Sequence, residues 1–187
     1  AIVDPRFAAD DFRNFQNFIG QSLPNGLDVI HYICPPPDIF LSLMEGLQLA
    51  VEKTAKIPPR VQAAAIFLGF VCIHPLELGH VRIHRFLIHD ILVHDGIVPA
   101  GMIIPVSAHM LNHIHAYDRI LESYSKPLMQ RIRYDREENG EISVTNVDEV
   151  EGYFRYPDLT SQCIYLLETI VSTLEHDLPE ELTFLQR

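Results

Sequence analysis

The feature that most constrains the fold is a run of apolar residues held between two proline-containing breaks. The run Val61–Ile73 (VQAAAIFLGFVCI) follows Pro58-Pro59 and ends at His74-Pro75. It is shorter than the roughly 18 residues that a membrane span requires. A soluble helix that is apolar nearly all round must be covered on every side. We therefore expect a buried central helix around which the rest of the chain packs.

Hydrophobic periodicity predicts further helices on both sides of this central element. Proline, asparagine and glycine residues separate them, which favours short connections and a helical bundle. The helices are expected at Asp10–Gln21, Asp38–Ala55, Arg82–His94, Val106–Ser123 and Thr160–Leu174.

Two stretches have the composition of β-structure. Leu27–Cys34 is rich in β-branched and aromatic residues and precedes three prolines, which predicts a strand or one arm of a hairpin. Ile132–Val147 predicts a hairpin with a loop over 136–140 and with Tyr134 opposite Ile142, because this register puts apolar residues on one face. The expected fold class is mostly α: a helical bundle with a β-hairpin flap and a second, peripheral β-hairpin.

The length of the chain limits the number of domains it can form, and its charge limits the kinds of partner it can bind. With 187 residues it can bury one core, and we expect residues 1–187 to be a single domain of a longer protein, since the chain does not begin with Met. Lys and Arg number 14 and Asp and Glu number 25, which gives a net charge of −11. Because an acidic chain repels a phosphate backbone, no nucleic-acid partner is expected.

The cysteines and the hydropathy favour a cytoplasmic protein. Cys34, Cys72 and Cys163 are odd in number and fit no zinc or redox spacing, so we expect three reduced thiols. No stretch is apolar enough to span a membrane and no signal peptide is visible, so no membrane partner is expected.

The segment His74–Arg85 (HPLELGHVRIHR) carries the strongest chemical signal. It places a histidine at the end of the apolar helix, then a tight loop, then a helix with Arg82 and Arg85 in its first turn. Cations at a helix N-terminus are unfavourable by about 0.3–1 kcal/mol. Two arginines on one helical face, beside free backbone N–H groups, would instead bind an anion well. Ion pairs between both arginines and carboxylates of another helix explain the pattern equally well, and the two interpretations stay open.

This segment resembles the signature of Fic proteins, H-P-F-x-[DE]-G-N-G-R-x-x-R. Five positions agree in identity and spacing: His74, Pro75, Gly79, Arg82 and Arg85. Residues 27–38 are similar to the flap that precedes the motif in that family. Residues 103–107 and 177–182 are similar to stretches of longer bacterial Fic proteins, so the resemblance covers most of the chain.

The resemblance implies a protein adenylyltransferase, which transfers AMP from its substrate ATP to a Ser, Thr or Tyr hydroxyl of a target protein. His74 would be the general base that deprotonates this hydroxyl. The nucleotide phosphates would lie against the glycine-containing loop and the two arginines, which assigns nucleotide binding to Gly79, His80, Val81, Arg82 and Arg85. The flap would hold the target as an added strand, which assigns target docking to Val29, Ile30, His31, Tyr32 and Ile33. A homodimer is compatible with this function.

Several positions of the motif depart from the family. Leu78 replaces the acidic residue that holds Mg²⁺ and has no oxygen donor, which leaves the adjacent Glu77 as the other candidate ligand. His80 replaces an asparagine, and Val81 replaces a glycine where backbone must approach a phosphate closely. Loss of the metal removes several kcal/mol of charge stabilisation from the leaving group. The alternative function is therefore a catalytically inactive Fic-fold module that binds a nucleotide or a partner protein.

Ten histidines raise a third hypothesis, a histidine-ligated metal site. His80 and His84 are spaced i, i+4, as are His109 and His113, and His115 is nearby. Such pairs arise by chance in a histidine-rich chain, whereas a zinc site needs three or four converging ligands. No metal ligand is therefore predicted from these histidines.

Overall fold

A computed structural model describes residues 12–22, 28–54, 56–76, 104–137 and 140–179, together with the single residues 86, 88, 89, 93, 96, 98 and 183. This part of the chain is mostly helical and contains two small antiparallel hairpins, which confirms the predicted fold class. The helices are α1 (Pro37–Lys53), α2 (Pro59–Ile73), α3 (Val106–Asn112), α4 (Ile114–Met129), α5 (Val147–Arg155) and α6 (Thr160–Ser172), and the last continues as a π-helical turn over Thr173–Asp177. The strands are β1 (Phe18–Ser22), β2 (Asp28–Ile33), β3 (Tyr134–Arg136) and β4 (Ile142–Val144).

The apolar helix α2 packs against both α1 and α6. It begins at Pro59, as the proline pair predicted. Ala64, Phe67 and Leu68 are buried in a core shared with α3 and α6. At its C-terminal end, Ile73 belongs to a second core, to which α1, β2 and α5 contribute. α2 thus connects the two apolar cores of the described part.

The prediction that α2 is buried on every side is wrong. Val61 is 41% exposed and Ala65 is also exposed. Both line a groove of about 890 Å³ that is bounded by α1, by α6 and by the segment that precedes α6. At these positions α2 faces the groove rather than a packed neighbour.

The predicted helix over Asp10–Gln21 is wrong for its described residues. Residues 12–17 are irregular, and β1 begins at Phe18. The phenylalanine spacing resembled a helical face, but tertiary contacts decide the conformation. The ring of Phe12 packs edge-on against Phe40 of α1, with centroids 5.3 Å apart, and Arg13 bonds to carbonyls more than 20 positions away.

The second hairpin forms where it was predicted, but in a different register. Tyr134 lies opposite Val144 rather than Ile142. The main-chain N–H of Glu137 donates to the carbonyl of Glu141 at 2.9 Å, which closes a loop of three residues. Gly140, with a φ of 87°, takes the left-handed position that such a loop needs. The shift is two residues, so the same side chains stay on the same face.

The helices α1, α2 and α6 agree with their predictions to within a few residues, whereas α5 was not predicted. The segment predicted as Val106–Ser123 forms two helices that are separated at His113 and continue to Met129. Of the predicted Arg82–His94 helix the structure describes Phe86, Ile88, His89 and Val93, and these four are helical. The remaining residues of that prediction lie outside the described part.

Candidate functional site

His74 follows the last residue of α2 and turns the chain away from the helix. Its backbone has φ 51° and ψ 62°, a left-handed conformation, and its N–H donates to the carbonyl of Phe70 at 3.0 Å. Among the non-glycine residues that the structure describes, only His74 has a positive φ. This conformation costs an L-residue about 1–2 kcal/mol, and glycine usually takes it. A histidine here is held in place by its surroundings.

Arg13 supplies much of that restraint. Its Nε donates to the carbonyl of His74 at 2.8 Å, and its Nη2 donates to the carbonyl of Ile73 at 3.2 Å. The same Nη2 donates to the carbonyl of Pro35 at 2.7 Å, and Nη1 donates to that of Phe15 at 2.7 Å. The cation lies at the negative end of the α2 dipole and bonds to carbonyls that the helix itself leaves free.

The first hairpin lies against this same end of α2. The Tyr32 hydroxyl donates to the carbonyl of Cys72 at 2.7 Å, and Tyr32, Ile33 and Ile73 are buried in one core. Pro35, just after β2, is tied to the helix end through Arg13. The sequence-predicted base and the sequence-predicted flap are therefore neighbours in the fold.

The five predicted docking residues of the flap differ in exposure. Val29 is 38% exposed and His31 is also exposed, whereas Ile30 is half-buried. Tyr32 and Ile33 are buried, at 7% and 0% exposure. The side chains of Val29 and His31 are thus accessible to another molecule, while Tyr32 and Ile33 anchor the hairpin to the core.

A β-bulge shapes the middle of this hairpin. Ile19 lies opposite Tyr32 and Gly20 lies opposite Ile30, so His31 is the extra residue on β2. The strands approach so closely at this point that a Cβ atom on Gly20 would lie 2.4 Å from the carbonyl oxygen of Val29. The bulge therefore requires glycine at position 20.

The environment of His74 favours the neutral imidazole. Burial lowers its pKa, the charge of Arg13 lowers it further, and the resulting pKa is about 4. The neighbouring Cys34 and Cys72 thiols are protonated at pH 7 because burial raises the pKa of each to about 12. Burial also raises the pKa of Tyr32. At neutral pH the imidazole can accept a proton, and these three neighbours carry no charge.

The remaining motif residues fall largely outside the described part. Pro75 and Leu76, which follow the histidine, are buried. The predicted phosphate-binding residues Gly79, His80, Val81, Arg82 and Arg85 lie outside the described residues, as do Leu78 and the metal candidate Glu77.

His109 on α3 and His113, which follows α3, make other contacts. His109 Nδ1 lies 2.6 Å from an oxygen of Asp177, and the rings of His109 and His113 stack with centroids 4.3 Å apart. The described residues contain no group of three or more His, Cys, Asp or Glu side chains placed to hold a metal ion. In this part of the chain the zinc hypothesis gains no support.

Arg13 is the residue of the site that sequence reasoning missed. It lies in a segment whose spacing predicted a helix, and a single arginine carries no motif. Its hydrogen-bond partners are main-chain carbonyls, which every residue type has. The identities of the distant residues therefore do not indicate these bonds. A pattern of side-chain types could not have revealed it.

The chain matches no model of a known protein family, and no curated protein is significantly similar to it. The Fic resemblance is therefore a prediction that rests on the motif and flap residues. No helix in the described part is long and apolar enough to cross a membrane.

Proposed function

We propose that the chain is a Fic-type protein adenylyltransferase. The hydroxyl oxygen of a target side chain would attack the α-phosphorus of ATP, and the bond from that phosphorus to pyrophosphate would break. His74 would take the hydroxyl proton. The observation that carries this proposal is the position of His74, restrained at the end of α2 beside the bulged hairpin.

The protonation state of His74 suits the start of this reaction. With a pKa of about 4 the imidazole is neutral at pH 7, as a general base must be. Such a low pKa also makes it a weak base, since the best catalytic bases have pKa values near the working pH. Nucleotide phosphates near the ring would raise its pKa, because opposite charges favour the protonated form. Substrate binding would thus strengthen the base.

The residues of the loop do not fit Mg²⁺ in the manner of the family. Leu78 stands at the ligand position, and Mg²⁺ requires oxygen donors. Arg82 and Arg85, rather than a metal ion, would therefore stabilise the charge of the pyrophosphate. We expect slow AMP transfer, since several kcal/mol of stabilisation are missing and each 1.36 kcal/mol is about tenfold in rate.

A second candidate, a module that binds nucleotide without turnover, is favoured by Leu78 and Val81. Both candidates predict nucleotide binding, and they differ in whether AMP becomes covalently attached. The test is incorporation of label from α-labelled ATP into the chain itself or into proteins of a lysate, with γ-labelled ATP as the control for phosphorylation. His74→Ala should abolish α-label incorporation, and AMP transfer that survives it would contradict the role of His74.

Restoring the family residues tests whether the departures limit the rate. The variant Leu78→Asp, His80→Asn, Val81→Gly should raise Mg²⁺-dependent α-label incorporation by orders of magnitude, because it returns the metal ligand and the close-approach glycine. If neither this variant nor the parent transfers AMP while both bind ATP, the chain is the inactive module. If neither binds ATP, both proposals fail.

A further inference from the structure

Arg13 is a buried cation whose side-chain hydrogen bonds all go to main-chain carbonyls. It is 5% exposed, and its guanidinium bonds to carbonyls at the end of α2, after β2 and in the segment before β1. Its own N–H donates to the carbonyl of Pro75 at 3.0 Å. One residue therefore connects the helix end, the hairpin and both sides of the left-handed turn.

We propose that Arg13 is a positioning residue, which fixes the backbone of His74 and holds the hairpin against it. This inference rests on the proposed function, in which His74 is the base. A base works only when its ring is held at the correct place relative to the docked hydroxyl, and small displacements lower the rate strongly. Arg13 restrains both the ring and the segment that would hold the target, because it bonds to the backbone of the residue that carries the ring and to the end of the flap.

The geometry requires arginine rather than lysine. A guanidinium has five N–H donors in a rigid plane, and here Nε, Nη1 and Nη2 each have at least one carbonyl partner. A lysine ammonium is a single point with three donors and would have to leave some of these carbonyls. The charge would remain in Arg13→Lys, but the connection between the segments would weaken.

The charge of Arg13 has a separate effect on the imidazole. A cation beside the ring opposes protonation, which is one of the two causes that lower the pKa of His74. The other titratable side chains packed at this helix end, Tyr32, Cys34, Cys72 and Tyr124, are neutral at pH 7 because burial raises the pKa of each. The charged residues of the motif loop, Glu77, Arg82 and Arg85, lie outside the described part. Among the described residues, Arg13 is thus the charge that acts on this ring.

The test compares Arg13→Lys with Arg13→Gln. The first variant removes the planar guanidinium but keeps the positive charge, and the second removes both. The control is Arg133→Gln, which changes an exposed arginine paired with Glu149. Hydrogen exchange at the His74 amide reports on the turn, and NMR titration of the His74 ring reports on the charge. Both variants should accelerate the exchange by about tenfold or more. Only Arg13→Gln should move the titration midpoint upward, and the control should change neither signal.

Arg13→Lys tests the proposal even if Arg13→Gln does not fold, because lysine keeps the positive charge and the aliphatic stem of the side chain. Unchanged exchange at His74 in folded Arg13→Lys would overturn the positioning role. In the kinetics of AMP transfer, Arg13→Lys should lower kcat and leave the KM for ATP unchanged, since Arg13 acts on His74 rather than on the nucleotide. Hydrogen exchange and the titration of His74 could respond as expected while neither the parent nor any variant transfers AMP. In that case the positioning of His74 stands and the adenylyltransferase proposal fails.

Discussion

Acidification should destabilise this chain through His74. The folded protein holds the pKa of the imidazole at about 4, mainly by burial and further by the charge of Arg13, against an ordinary value of 6.5. At a pH between these two pKa values, the imidazole is protonated in the unfolded chain but neutral in the folded chain. The loss of stability is therefore absent above pH 6.5 and grows as the pH falls towards 4.

The size of the effect follows from the same two values. The full difference in pKa corresponds to about 3 kcal/mol, and at pH 5 about 2 kcal/mol of it has developed. Because His74 is only half-buried, solvent screens part of the interaction and these figures are upper values. Even half of this is a large fraction of the 5–15 kcal/mol that is typical of a folded domain.

Urea unfolding at pH 7.5 and pH 5 measures this contribution when the parent is compared with His74→Asn. Asparagine tolerates the left-handed backbone and does not titrate, so its loss of packing is the same at both pH values. The free energy of unfolding of the parent, relative to the variant, should fall by about 1–2 kcal/mol on going to pH 5. His31→Asn, the same replacement at the exposed histidine of the flap, is the matched control for the substitution itself. If the parent and His74→Asn lose the same stability between the two pH values, the description of the His74 environment is incorrect.

Further predictions concern the hairpin and the motif loop. Gly20→Ala should lower the free energy of unfolding by about 1–3 kcal/mol, because the new methyl group would lie 2.4 Å from a carbonyl oxygen of the opposite strand. Gly46→Ala, where a Cβ atom on α1 would meet nothing within 4 Å, is its control and should be neutral or stabilising by up to about 1 kcal/mol in the same urea titration. Tyr32→Phe should cost about 1 kcal/mol by the same measurement, since it removes the hydroxyl that bonds to α2. Arg82→Ala combined with Arg85→Ala should abolish ATP binding in calorimetry, and unchanged binding would place the anion site elsewhere.

The parts of the fold that sequence predicted are those set by local chemistry. Proline pairs and apolar periodicity located α1 and α2 to within about two residues, and they placed His74 at a helix end. Tertiary contacts set the remainder. Residues 12–17 have a helical spacing of phenylalanines, yet the bonds of Arg13 and the pairing of β1 with β2 hold them out of a helix. The register of the second hairpin depended on a left-handed Gly140, and alternation of apolar residues cannot distinguish registers two residues apart.

The candidate site has two parts: His74 with the residues that support it, and the motif loop that follows it. The support of His74 consists of Arg13, the end of α2 and the anchored strand β2, and each of its bonds uses main-chain carbonyls. Substitutions in the loop do not alter these acceptors, so the departures at Leu78 and Val81 leave this support intact. Under the proposed function, the base would be held independently of the loop position that binds the metal in the family, so the metal could be lost while the base is kept. Under the proposed function, three substitutions in the loop should therefore restore fast AMP transfer without any change elsewhere in the chain. A need for further changes outside the loop would mean that the support of His74 is itself impaired.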